Sequence, residues 1–239
     1  YTLMTYKIYC LSFNNQERKN SMEERFKCAN IDYTFYDGVH FTDPRITTDL
    51  YKKCWSCMYG HLDMIKMFYD DPNVEYGIFC EDDIYIHKDF NTFMPDVIKD
   101  FKNMNLDVLL LGYLVTFKID PCYHGFSVKK SNDKKFTYHD FTNDVWGTQM
   151  YMLSKTNAKN LLDKYGEESD YASRSLHDSS MRPFSADWTI TKDGNRALII
   201  PCLAVENGKG EVAHFGGSYE QYFFHKKCHE VQYDPDIFI

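Results

Sequence analysis

The chain has 239 residues, 44% hydrophobic and 17% aromatic, which is ample for a sizeable core and excludes a disordered chain. Its net charge of -8 argues against a general nucleic-acid binder, because such a protein needs a basic face. No apolar run approaches the length of a membrane span.

Eight cysteines are too few and too scattered for a disulfide scaffold, and no Asn-x-Ser/Thr sequon occurs. Both features point to a reducing compartment, so the expected location is cytoplasmic. Low Ala with abundant Lys, Asn, Ile, Tyr and Phe fits an AT-rich genome, such as that of a giant virus or a parasite. The opening Tyr1-Thr-Leu-Met-Thr5 does not read as a signal peptide, although targeting signals could precede it.

In chain order, residues 7–13 read as a first strand and 14–29 as a helix, with Asn14 or Asn15 as cap. Arg18 falls in the first turns of that helix, where a guanidinium could reach a phosphate or simply pair with a nearby Glu. Residues 33–36 are a second strand, ending at Asp37-Gly38. Gly38 permits a left-handed turn, and Asp37 could accept hydrogen bonds from a base or ribose or be an ordinary turn residue. A polar loop over 40–53 precedes the clearest helix, 55–69, whose Trp55, Met58, Tyr59, Leu62, Ile65 and Tyr69 form one apolar stripe. Cys57 and His61 stand one turn apart on a neighbouring face, as metal ligands or as packed residues.

The stretch Tyr76–Tyr85 is next, a buried strand with three adjacent acids, Glu81, Asp82 and Asp83. Adjacent carboxylates repel, and folding does not call for them. Hard oxygen ligands suit Mg²⁺ or Mn²⁺, and ligands of open α/β sheets sit beyond the carboxyl ends of strands. The trio therefore reads as a cation site that holds a phosphate, with a solvated acidic turn as the alternative.

A helix over 89–101 contains Pro95, which fits its interior poorly and places the start near that residue. Residues 107–113 are another buried strand. The order so far predicts a mostly parallel sheet with helices on both faces, an α/β architecture. Residues 114–144 are long and without period. A strand over 145–153, a helix over 155–164 capped by Ser154, a polar loop to 182, a short helix at Asp187-Trp188 and a strand over 197–202 follow. The end, from Tyr222, is expected to wrap the surface. No repeat and no linker divides the chain, so one domain is expected.

Several of these stretches together resemble glycosyltransferase family 25, which includes lipooligosaccharide and collagen galactosyltransferases. YCLSFNNQERK resembles the family's Asn-Leu-Asp-Arg-Arg-x-x-Arg opening at Arg18, with Ser12, Phe13 and Asn14 in place of its Asp-Arg-Arg. FYDGV matches at Asp37 and Gly38. WSCMYGHLDMIKMF matches at Cys57 and His61, with Gly60 where the family has Ser. YGIFCEDDI matches the Leu-Glu-Asp-Asp motif at Glu81 to Asp83, and WGTQMYMLSKTNAKNLL matches at Thr148, Tyr151, Ser154 and Ala158. The likeness is colinear over about two thirds of the chain.

The resemblance implies a GT-A-like domain, with donor binding over about 5–113 and acceptor binding over about 114–239. It implies inverting transfer from a UDP-sugar to a glycan, lipid-linked or protein acceptor, with Mn²⁺ or Mg²⁺ as cofactor. Asp83 and Glu81 would then hold the metal, joined by a late histidine, His214 first and His225 second. Arg18, Asp37, Gly38, His61, Glu81 and Asp82 would bind the donor. Trp146, Thr148 and Gln149 could touch donor or acceptor. Asp187 is the candidate base, beside Trp188, whose ring could stack on a sugar; the alternative is that Asp187 caps a helix.

Three other readings stand beside this one. A catalytically inactive binding module would explain the departures in the opening motif. A two-metal phosphohydrolase would need a second acidic cluster, and Asp70-Asp71 and Glu167-Glu168 lack a strand-end context. Cys54-x-x-Cys57 with His225-x-x-Cys228 has zinc-like spacing.

Overall fold

The computed structural model describes residues 6–119, 128–131 and 135–239, with the side chains of Lys130, Ser131 and His214 outside that description. Strand β1 (Tyr6–Leu11) leads into helix α1 (Gln16–Cys28), and β2 (Tyr33–Tyr36) follows. Asn15 caps α1 by accepting from the backbone N–H of Arg18 at 3.0 Å. Helix α2 (Lys52–Asp70) precedes β3 (Tyr76–Glu81) and the short β4 (Ile84–Ile86).

Helix α3 (Phe90–Asn103) carries Pro95 inside it, so it starts five residues earlier than the proline suggests. Burial decides this. Phe90, Met94, Val97 and Phe101 all face the core, and their packing outweighs the one backbone bond that Pro95 cannot donate. Next come β5 (Val108–Leu114), β6 (Val128–Ser131), β7 (Thr137–His139) and β8 (Trp146–Ser154). The aperiodic region 114–144 thus contains two strands, and its residues 120–127 and 132–134 lie outside the described set.

Ser154 caps α4 (Lys155–Tyr165) by accepting from Asn157 N–H at 3.1 Å, as expected. Two short helices, α5 (Tyr171–Ser175) and α6 (Ala186–Thr189), precede β9 (Arg196–Ile200) and β10 (Ala204–Glu206). A 3-10 turn (Val212–Phe215) then leads to α7 (Tyr219–Gln232), so the C-terminal part is a helix and not an irregular wrap.

The described strands form one eight-stranded sheet, ordered β2-β1-β3-β8-β5-β9-β7-β6, and a two-stranded sheet of β10 and β4. Only β1–β2, β1–β3 and β5–β9 pair in parallel. Antiparallel β8 lies between β3 and β5, and antiparallel β7 beside β9. The other six strands point one way, so the sheet is mostly parallel in direction although most of its pairings are not. Helices cover both faces, each over its own apolar layer. One layer takes Met58, Leu62 and Ile65 of α2 with Leu161 of α4. The other takes Met22 and Phe26 of α1 with Met94 and Phe101 of α3.

Two local features position the site. Gly60 lets α2 lie close on β1, since a Cβ there would stand 2.8 Å from Leu11 Cδ1. In β8 the pairing with β5 slips, so that Met150 faces Gly112 and Trp146 faces Leu114. Four steps on β8 thus oppose two on β5, and such bulges commonly re-aim side chains next to active sites.

Candidate active site

Strand β3 ends at Glu81, in register with Leu11 at the end of β1. Its burial is complete up to Cys80, so the three acids emerge together where the strand leaves the core. Asp82 is buried and accepts from Ser12 Oγ at 2.7 Å. Arg18 donates through one guanidinium nitrogen to Asp82 and to Asp83, both at 3.2 Å. Arg18 is therefore part of the acidic centre and not a surface partner of a Glu.

The positive charge does not balance the site. Burial, Glu81 and Glu206 together push Asp83 up to about 8, against the pull of Arg18. Burial also raises Asp82, with Ser12 and Arg18 opposing. Glu81 ends below its usual range: burial raises it, but hydrogen bonds from His61 and Thr148 win.

The bulge in β8 brings Thr148 to this edge. Its hydroxyl lies 3.1 Å from Glu81 Oε1 and 2.8 Å from Asp187 Oδ1. Asp187 sits in the first turn of α6, but the residue at the cap is Ser185. Its carboxylate thus faces Thr148 and does not cap the helix. Burial and the nearby Glu81 hold Asp187 above its ordinary range. His61 is fully buried, with Nδ1 2.9 Å from the Tyr151 hydroxyl and Nε2 3.4 Å from Glu81 Oε1.

A cavity of about 280 Å³ opens at the carboxyl ends of β1, β2 and β3, lined by Leu11, Phe13, Arg18, Gly38, Lys53, Cys57, Glu81 and Asp82 among others. Gly38 has φ +69°, and a Cβ there would meet the Phe13 ring at 2.9 Å, so both backbone shape and space require glycine. Asp37 is turned away. It is exposed and pairs with Lys19 at 2.8 Å.

A second cavity of about 430 Å³ lies on the other side of α2, between Tyr51, Cys54, Trp55, Asp178 and Trp188. Trp146 packs edge-on against Trp188, with ring centroids 4.7 Å apart. Burial pushes Lys192 down to about 8, and its ammonium lies 5.1 Å from the Trp146 ring centre. Gln149 is buried, with no partner for Oε1 among the described residues.

The model of glycosyltransferase family 25 (LPS biosynthesis protein) matches residues 5–173. The chain belongs to glycosyltransferase family 25. That span takes in the acidic trio, His61 and Thr148, and the family's chemistry is glycosyl transfer. No curated protein sequence matches the chain.

Among solved structures the chain is similar to A197 from STIV, at 14% identity over 82% of this chain and 81% of that one, with a TM-score of 0.43. It is also similar to a glycosyltransferase involved in the glycosylation of the major capsid of PBCV-1, at 10% identity, 88% and 96% coverage and a TM-score of 0.43. A third is mannose-1-phosphate geranyltransferase from Thermus thermophilus, at 10% identity, 82% and 74% coverage and a TM-score of 0.41.

This family 25 chain gathers most of its expected site residues on one edge of the sheet. Glu81, Asp82, Asp83, Arg18, His61, Thr148 and Asp187 meet there, whereas Asp37 stays outside. His214 belongs to the 3-10 turn, and its side chain lies outside the described residues.

Two residues that sequence reasoning passed over or ranked second complete the acidic edge. Glu206, at the end of β10, is set beside β4 by antiparallel pairing with Ile84, and the Asn207 N–H donates to the Asp83 carbonyl at 2.7 Å. His225 of α7 lies 2.7 Å from Glu206 through Nδ1, and that carboxylate raises its pKa despite burial. No local pattern flagged Glu206, because its neighbourhood depends on a strand over a hundred residues earlier. The four-residue zinc reading does not assemble: Cys57 lies with His61 and Glu81, while His225 turns to Glu206. Among the described residues, no helix is long and apolar enough to cross a membrane.

Proposed function

We propose that the chain moves a sugar from a nucleotide-diphosphate sugar, with UDP the expected nucleotide, to a hydroxyl acceptor with inversion at the anomeric carbon. The supporting observation is the convergence of the cavity, the acidic trio and Asp187 at one edge of the sheet. On this reading the chain is one GT-A-like catalytic domain. Donor-binding groups come from residues up to about 113, and acceptor-binding groups from 114 to 239.

Arg18 and Lys53 line the cavity and supply positive charge for a diphosphate. The cavity volume is near the lower end of small-molecule sites, so part of the nucleotide lies in it and the diphosphate crosses the acidic edge. A divalent cation, Mn²⁺ or Mg²⁺, suits that edge. Glu81, Asp82, Asp83 and Glu206 outnumber Arg18 and His225, and burial together with that surplus negative charge holds a proton on Asp83 up to about 8. Asp83 and Glu81 would hold the cation, with His214 or His225 as the late ligand. When bound, it neutralises the diphosphate and stabilises the leaving group.

Asp187 accepts the acceptor's hydroxyl proton as the oxygen attacks the anomeric carbon and the bond to the diphosphate breaks. Burial raises its pKa, which strengthens it as a base, and a positioned base of this kind contributes about 10²- to 10⁴-fold. Thr148 orients it. Trp188 offers an aromatic face to an acceptor sugar in the second cavity. The sugar expected is a hexose, galactose or glucose.

The test is calorimetric titration of UDP with Mn²⁺ and then with EDTA. Binding is expected with Mn²⁺ and not with EDTA, and Asp83→Ala should lose both binding and donor turnover while keeping the fold. Absence of binding in either condition would overturn the donor assignment. Binding without turnover across a panel of UDP-sugars and acceptors would instead identify an inactive glycosyltransferase-like module.

A further inference from the structure

Cys57, His61 and Glu81 offer one ligand atom each, all within 4.8 Å of one another. Cys57 and His61 stand one turn apart on α2, so their side chains lie on one face. His61 Nε2 and Glu81 Oε1 are 3.4 Å apart. In a tetrahedral site with bonds of about 2.0–2.3 Å, neighbouring ligand atoms are roughly 3.4–3.7 Å apart. That pair is already at ligand spacing, and a small side-chain adjustment brings in the Cys57 sulfur.

The surroundings match those of a metal-ligating histidine. Such a residue uses one ring nitrogen for the metal and the other for an orienting partner. Here the Tyr151 hydroxyl holds Nδ1 at 2.9 Å. Tyr151 is fully buried, and its ring stacks on Phe79 with centroids 5.2 Å apart, so the partner is fixed. A phenol hydroxyl both donates and accepts. It therefore satisfies the tautomer in which Nε2–H faces Glu81 and the one that leaves Nε2 bare for a cation. Cys57 and Glu81 line the donor cavity, which provides an entry path and room for a fourth, solvent ligand.

We propose that Cys57, His61 and Glu81 form a binding site for a thiophilic divalent cation of the Zn²⁺ class, distinct in hardness from the oxygen-ligand centre at Asp83. A thiolate and an imidazole select Zn²⁺, Co²⁺ or Cd²⁺ over Mn²⁺ and Mg²⁺. Binding forms a sulfur–metal bond and sends the Cys57 thiol proton to solvent; no electrons change hands. Glu81 belongs to both sites, so Zn²⁺ inhibits transfer by drawing Glu81 away from the donor's cation. That consequence rests on the function proposed above, whereas the binding itself does not.

Co²⁺ is the probe, added to metal-free, reduced protein. A near-ultraviolet thiolate-to-cobalt charge-transfer band is expected, of a strength set by one sulfur. Cys57→Ser should abolish it and Cys54→Ser should keep it. Tyr151→Phe removes only the orienting hydroxyl and should weaken cobalt affinity by roughly 10- to 100-fold. Alkylation followed by mass spectrometry checks the same point in the unmutated chain, where Zn²⁺ should protect Cys57 and leave Cys54 reactive. No band at excess Co²⁺, a band that survives in Cys57→Ser, or equal alkylation of Cys57 with and without Zn²⁺ would each overturn the site.

Discussion

Thr148 has one hydroxyl proton and two carboxylates in reach, Glu81 at 3.1 Å and Asp187 at 2.8 Å. It can donate to only one of them at a time. Donating to Asp187 lowers that carboxyl's pKa and orients its oxygens. In the proposed transfer, Asp187 becomes a donor itself once it has taken the acceptor's proton, and Thr148 then turns to Glu81. The hydroxyl thus lets the base change protonation state without leaving a buried group unpaired. Thr148→Val removes the hydroxyl at nearly constant shape. Its expected effect is a fall in kcat of roughly tenfold to a hundredfold, at or below the lower end of what a general base contributes, because the base itself remains. The acid limb of the pH–rate profile should also move to higher pH, because Asp187 loses a hydrogen bond that favours its ionised form. Thr148→Ser should restore both. A pH series of initial rates on the three proteins checks this.

Helix α6 is a single turn, and it separates two tasks. Ala186 and Thr189 are buried, and the Thr189 hydroxyl bonds back to the Ser185 carbonyl at 2.8 Å. The turn is thereby anchored on α2, where Thr189 Oγ1 also meets the Met58 sulfur at 3.4 Å. Consecutive residues on a helix point about 100° apart. Asp187 consequently faces inward to Thr148, while Trp188 is 41% exposed and lines the second cavity. Trp188→Ala should raise the acceptor's KM by roughly twofold to tenfold, the range of a single aromatic contact. The affinity for UDP should stay as it was, because Trp188 does not line the cavity proposed for the donor. Acceptor titration beside UDP calorimetry measures the two effects separately; an equal loss in both would place Trp188 in the donor site instead.

At the scale of the molecule, the acidic edge is a cost to the fold. Asp83 is pushed from its ordinary value of 3.8 to about 8 in the folded chain. Between those two pH values the folded protein holds a proton that the unfolded chain has lost. The stability contribution of Asp83 therefore falls as pH rises from about 4 to about 8. Asp83→Asn removes this dependence. In EDTA its melting temperature should climb relative to the unmutated protein across that window, and the gap should close when saturating Mn²⁺ is added. Thermal denaturation at several pH values, with and without Mn²⁺, checks the sign. The core beneath can carry this load, because two apolar layers pack the sheet on both faces.

Much of this architecture was readable in the chain. Apolar runs at 78–80 and 107–113 marked buried strands, and the stripe from Trp55 to Tyr69 marked α2, because burial leaves a period in any local window. Asn15 and Ser154 announced their helices through cap chemistry. The acids at 81–83 stood out because local folding gives no reason for three adjacent carboxylates. By itself the sequence determined the main helices and strands from β1 to β5 and again from β8 to α4, that a charged centre stands at the end of β3, and which family's motifs surround it; the short strands β4, β6, β7 and β10 and the helices α5 and α7 left no such period.

Only the tertiary structure decided who meets that centre. It inserted β8 antiparallel between β3 and β5 and slipped its register, which delivers Thr148 to Glu81 and Asp187. It paired β10 with β4 and so set Glu206 and His225 beside Asp83. It turned Asp37 outward and Arg18 inward. These partners are separated by tens to more than a hundred positions along the chain. Periodicity and propensity act over a single turn or strand, whereas contacts between distant segments are chosen by how whole elements bury their faces against one another.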